Sequence, residues 1–114
     1  MPQAARKNSD SAALLALSRR LSRPDTRRLF ARFCHEVVHF SDDIVMESSA
    51  FELTLRGPNG FAVVLSPLRD LFLVSIGENR SFDMRVASVD DFVSALDLAL
   101  NVYLAAQSKS DSPC

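Results

Sequence analysis

The chain of 114 residues contains no Trp, one Tyr, three Gly and two Cys. Each shortage closes off a class of function. A loop that cradles phosphate needs clustered glycines, and Gly57, Gly60 and Gly77 alone cannot build one. Eight Phe without any Trp point to packed aromatics rather than a ring-lined surface for sugars or other ligands. Cys34 falls inside an apolar helical pattern and Cys114 in a polar segment, so a disulfide would tie a core position to a loose one. That usage fits a reducing compartment and predicts a cytoplasmic location. The longest early apolar run, Ala12 to Leu17, covers six residues and stops at Ser18-Arg19. It is too short for a membrane span or a signal-peptide core. Asp10 and Asp25 argue against an organelle transit peptide, which is acid-poor. There is no internal repeat and no low-complexity run. No Ser or Cys sits in a recognisable nucleophile setting, so the chain leans away from an enzyme.

What is present is ordinary in amount and unusual in placement. Hydrophobic residues make up 47% and charged residues 24%, as in a single globular domain of this length. The net charge of −1 hides a split. Residues 1–32 hold eight basic side chains against Asp10 and Asp25, net +6, and residues 33–114 hold five against twelve acids, net −7. Arg19, Arg20, Arg23, Arg28 and Arg32 form the basic block, a candidate face for an anionic partner or for the acidic half of the same chain.

Local patterns give the element order. Residues 1–9 are small, polar and charged, and read as disordered. Asp10 or Ser11 caps a short helix to about Ser22, with Leu14, Leu17 and Leu21 on one face. Pro24 starts a second helix that runs to about His39 with a stripe of Leu29, Phe30, Phe33, Cys34, Val37 and Val38. The period then switches to two. Strands are expected at Phe51 to Arg56, Phe61 to Ser66, Leu71 to Ile76 and Phe82 to Val86, joined by turns at Gly57–Gly60, Pro67–Asp70 and Gly77–Arg80. Ile44 to Met46 is left open between strand and linker. Ser88-x-x-Asp91 marks the start of a third helix, expected to end near Ala106, with Val89, Phe92, Val93, Leu96, Leu100 and Tyr103 facing inward. Residues 107–114 read as a polar tail. The expected fold is α+β: one domain over residues 10–106, with two N-terminal helices, a four-stranded antiparallel meander and a long C-terminal helix on the sheet. Phe33, Phe51, Leu53, Phe82, Phe92 and Leu96 are its expected core.

The two middle strands are apolar on both faces. Ala62, Val64, Leu71 and Leu73 should therefore lie on the outer side of the sheet, where a half-solvated sheet carries polar residues. Leu98 and Val102 lie off the expected helical stripe and join them as candidate interaction residues. Either the first helix or a second copy of the chain should cover this patch, which predicts a homodimer in the second case.

His35-Glu36-Val37-Val38-His39 resembles the H-E-x-x-H signature of zinc peptidases. The resemblance implies Zn²⁺ held by His35 and His39 from one helical face, with Glu36 as general base on the bound water. It covers five residues. Arg32 and Ser41 differ from the family's usual flanks, and the G-x-x-H extension is absent. A third ligand would have to come from Asp42, Asp43, Glu47 or an acid of the third helix. In those peptidases a sheet precedes the motif helix, whereas here it follows. The competing reading is a solvated face of the second helix with no metal or other cofactor.

Two further likenesses rest on element order alone. A helix followed by a strand meander is similar to the small dimeric chaperones of bacterial secretion systems, without the helix those insert mid-sheet. Four strands and a helix are similar to one repeat of the PUR-alpha type, which implies dimerisation and single-stranded nucleic-acid binding through the sheet. Such binding needs basic groups interleaved with exposed aromatics, and the basic residues here are mostly on helices, so at most weak binding is expected. The sequence thus favours a non-enzymatic protein-interaction module, working through an apolar sheet face and a basic helical face.

Overall fold

The computed structural model describes residues 12–77 and 82–111. Residues 12–18 form helix α1, Pro24–Val38 form α2 and Val89–Asp111 form α3. Five strands lie between α2 and α3: β1 (Val45–Ser48), β2 (Leu53–Arg56), β3 (Ala62–Pro67), β4 (Phe72–Ile76) and β5 (Phe82–Val86). They pair antiparallel in chain order, and α3 packs on the sheet they make. The fold is α+β. The strand beyond the four expected is β1, where Val45 and Met46 pair with Arg56 and Leu55. The expected disorder of 1–9, the cap at Asp10 or Ser11, most of the turn at 77–80 and the end of the tail lie outside the described residues. No helix among the described residues is long and apolar enough to cross a membrane.

Local chemistry explains the boundaries. Pro24 opens α2 because its fixed φ suits the first helical turn and its missing N–H would be unpaired there anyway. The Thr26 hydroxyl donates to the Arg23 carbonyl at 3.0 Å. At the start of α3 the Asp91 N–H donates to Ser88 Oγ at 3.2 Å, and Asp91 Oδ2 accepts from the Ala87 N–H at 3.1 Å. This reciprocal pair satisfies donors that a helix start leaves free. The β2–β3 turn places Asn59 at φ 62° and Gly60 at φ 80°, in the left-handed region that Asn and Gly enter most easily.

The register puts Leu53, Leu55, Val63, Leu65, Phe72, Val74, Ile76 and Val86 on one face, all fully buried under the helices. Two aromatic groups lock the layers. Near the start of α3, Phe33 packs edge-on against both Phe72 and Phe92, and Phe30 packs edge-on against Phe72. At the far end, Tyr103 meets Phe40 and Phe61. The contacts Phe33–Phe92 and Phe40–Tyr103 make α2 and α3 run side by side in the same direction.

Four sequence expectations need correction. Phe51 is 65% exposed, because it precedes β2 in a turn where Ser49 Oγ accepts from the N–H groups of Phe51 and Glu52. The turn breaks the alternation that would have aimed its ring inward. Phe82 is 47% exposed although it pairs with Ile76 on the inner face. Helix α3 crosses from β5 towards the turn at Pro58–Gly60 and leaves that corner of the edge strand uncovered. Helix α3 also runs to Asp111 rather than Ala106, since no breaker intervenes before Pro113. Finally, α3 is rotated. Phe92, Ala95 and Ala99 are its buried residues, and Leu96 is only half-buried. Leu98 and Val102, the candidate interaction residues of this helix, are half-buried and, like Leu96, pack against the core with part of their surface.

Candidate functional site

The rotation of α3 follows from its two aromatic anchors. Phe92 and Tyr103 lie three turns apart on the same side and are held by the two aromatic groups. Between them the small Ala95 and Ala99 face the sheet, so the helix approaches closely. The larger apolar residues on the opposite arc are turned to water. Val89 is 64% exposed, Val93 57%, Leu104 51% and Leu100 38%. With half-buried Leu96 they form one stripe along the outer side of α3. The sequence shows this stripe plainly but not its direction, because a core stripe and an interface stripe have the same spacing. The only signal was the alanine pair on the other arc.

The outer face of the sheet is a different surface. Val64 lies between Thr54 and Ser75, and Leu73 between Ser66 and Arg85. Ala62 sits opposite Arg56, and Leu71 precedes β4. Polar pairs ring this centre: Glu47 Oε1 meets Arg56 Nε at 2.8 Å and Ser75 Oγ donates to Asp83 Oδ1 at 2.6 Å. Val64 is buried, while Ala62, Leu71 and Leu73 are half-buried, so less apolar surface is open here than on α3. Helix α1 does not cover the patch. Its Leu14 and Leu17, with the following Leu21, turn into the core.

The basic block is spread over three roles. Arg20 donates to the Ala50 carbonyl at 3.1 Å, and its guanidinium sits 4.9 Å from the Phe51 ring centre. Arg19 and Arg23 are exposed around the start of α2. Arg28 and Arg32 share the outward row of α2 with His35 and His39, and the Arg32 guanidinium lies 5.7 Å from the Phe92 ring centre. Among the described residues no ion pair links Arg28 or Arg32 to Asp90 or Asp97.

The chain has no significant match among protein-family models, curated proteins or solved structures. Its site chemistry therefore stands on its own residues.

His35 and His39 are exposed, with ring centroids 4.3 Å apart, and His39 Nδ1 lies 2.7 Å from the His35 carbonyl. Among the described residues no group of three or more His, Cys, Asp or Glu side chains could hold a metal ion. Among the described residues, Asp42, Asp43, Glu47, Asp90, Asp91 and Asp97 do not join the His pair as a third ligand. Glu36 is half-buried beside them. The outer sheet face carries no aromatic ring among the described residues, so base stacking has no platform there. A shallow depression lined by Asp43, Val45, Glu47, Arg56, Gly57 and Pro58 holds the Glu47–Arg56 pair, whose charges engage each other.

Cys34 is fully buried, and that burial pushes its thiol well above the ordinary value of 9.0. A reactive cysteine needs the opposite shift and access to solvent. In a Cys114→Ser background, Cys34 should be alkylated only as fast as the protein unfolds, and rapid labelling of the native protein would show that the thiol is open. Below pH 9.0 the thiol is protonated whether the chain is folded or not. Above it the unfolded chain loses a proton that the folded chain keeps, so stability falls by up to about 1.4 kcal/mol per pH unit. Cys34→Ala should remove that slope.

Proposed function

We propose that this protein is a small non-enzymatic module that binds protein chains through the outer stripe of α3, with the basic row of α2 beside it. The observation that carries this reading is the exposure of Val89, Val93, Leu100 and Leu104 on one helical arc. Single exposed apolar residues are common, but a contiguous row is not, and such rows serve as contact surfaces. Burying the part of each side chain still exposed would contribute roughly 1 kcal/mol before the costs of association. The outer sheet face around Ala62, Val64, Leu71 and Leu73 is a second and smaller surface in the same proposal. Arg19, Arg23, Arg28 and Arg32 supply positive charge that would speed encounter with an acidic partner. The buried, unpaired Cys34 fits a reducing compartment, and the cytoplasm is the proposed location.

A photo-cross-linking residue at Leu100, compared in living cells with one at neighbouring Asn101, tests the reading. Adducts should form at Leu100 well above the Asn101 level. Equal labelling at the two positions, or none, would overturn it.

A further inference from the structure

The stripe is spaced like a seam between two helices. Val89, Val93, Leu96, Leu100 and Leu104 follow one another at intervals of four, three, four and four residues. From Val89 to Leu100 this is the alternation of four and three that keeps an apolar row facing a partner helix, and Leu104 extends the row by one turn. The two margins of the row differ in charge. On the side towards α2 stands Arg32, whose guanidinium reaches Phe92, with Arg28 one turn before it on the same outward row and half-buried Glu36 one turn after it. On the opposite side, about a quarter-turn round the helix from the row, stand exposed Asp90 and Asp97. Neither acid makes an ion pair among the described residues.

We infer that the occupant of this stripe is the same stripe of a second copy, with the two α3 helices running parallel about a two-fold axis along the seam. The inference rests on reading the α3 stripe as the interaction surface and names its partner. An apolar row with a basic margin on one side and an acidic margin on the other is complementary to its own image in that arrangement alone. Parallel pairing lays the α2 side of each copy over the Asp90 and Asp97 side of the other. Antiparallel pairing would lay α2 against α2 and bring like charges together. The levels also agree. Phe33 of α2 stands beside Phe92 of α3, so Asp90 of one copy falls opposite the span from Arg28 to Arg32 of the other. Asp97 falls at the level of His35, Glu36 and His39, so the charge match is carried by Asp90 with Arg28 and Arg32. Two-fold pairing of one patch with itself is the commonest way in which soluble chains assemble.

Sedimentation and cysteine pairing test this together. The wild-type chain should sediment as a concentration-dependent dimer. Leu100→Asp should sediment as a monomer with an unchanged circular dichroism spectrum, because Leu100 makes no part of the core. In a Cys114→Ser background, Leu100→Cys should oxidise to a disulfide-linked dimer, since parallel helices bring this position against itself. A dimer that survives Leu100→Asp would overturn the inference by placing the contact elsewhere, such as the outer sheet face. A disulfide that forms only between Val93→Cys and Leu100→Cys chains would overturn it by showing antiparallel helices. A wild-type monomer that still yields cross-links from Leu100 to a different protein would overturn self-pairing and leave the interaction module standing. A monomer without such cross-links would remove both.

Discussion

Replacing Phe33 with Ala should lower the free energy of unfolding by about 3–5 kcal/mol, a large share of the roughly 5–15 kcal/mol that a small domain possesses. The ring is fully buried and contacts both Phe72 of β4 and Phe92 of α3. Its loss therefore opens a cavity where α2, α3 and the sheet meet, and it removes two edge-on aromatic contacts worth about 0.5–1.5 kcal/mol each. Cavities of this kind collapse poorly when three elements frame them. Denaturant unfolding followed by far-ultraviolet circular dichroism gives the number. A loss under about 1 kcal/mol, the size expected of an average substitution, would show that Phe33 does not hold the layers together.

Adjacent substitutions on α3 should have opposite outcomes. Ala99→Asp should destabilise the fold by more than about 3 kcal/mol, because it puts an unpaired carboxylate at a position with no solvent access. Leu100→Asp, one residue on, should cost the single chain about 1 kcal/mol or less, because Leu100 is 38% exposed and lies outside the core cluster. Thermal unfolding of the two variants side by side at low protein concentration reads the rotation of the helix directly. Similar losses in both would mean that α3 turns the Leu100 side inward.

The helix starts were legible because they depend on a few neighbouring residues. Pro24 sets the first turn of α2, and Ser88 with Asp91 closes the first turn of α3 through two local hydrogen bonds. The meander was legible because period-two runs separated by short turns allow little else. The candidate site was legible only as a set of residues. Val89, Val93, Leu96 and Leu100 stand out in the sequence as a stripe, and by spacing alone they read as a core face. The same spacing serves a buried face and a docking face, and α3 is apolar over most of its circumference. Phe51 and Phe82 failed for a related reason. Phe51 lies in a turn that breaks the alternation, and Phe82 keeps the inner-face register but sits at an uncovered corner of an edge strand.

The sequence by itself determined the order of the elements, the antiparallel meander, the basic first third of the chain and the absence of a phosphate loop or nucleophile setting. These depend on backbone preferences and composition, which act over a few residues. Only the tertiary structure decided which arc of α3 is buried, that α1 turns into the core instead of over the outer sheet face, and that the His pair gathers no third ligand among the described residues. Those outcomes turn on contacts between distant segments. Phe92 meets Phe33 and Tyr103 meets Phe61, and these two contacts set the rotation of the helix that carries the proposed interface.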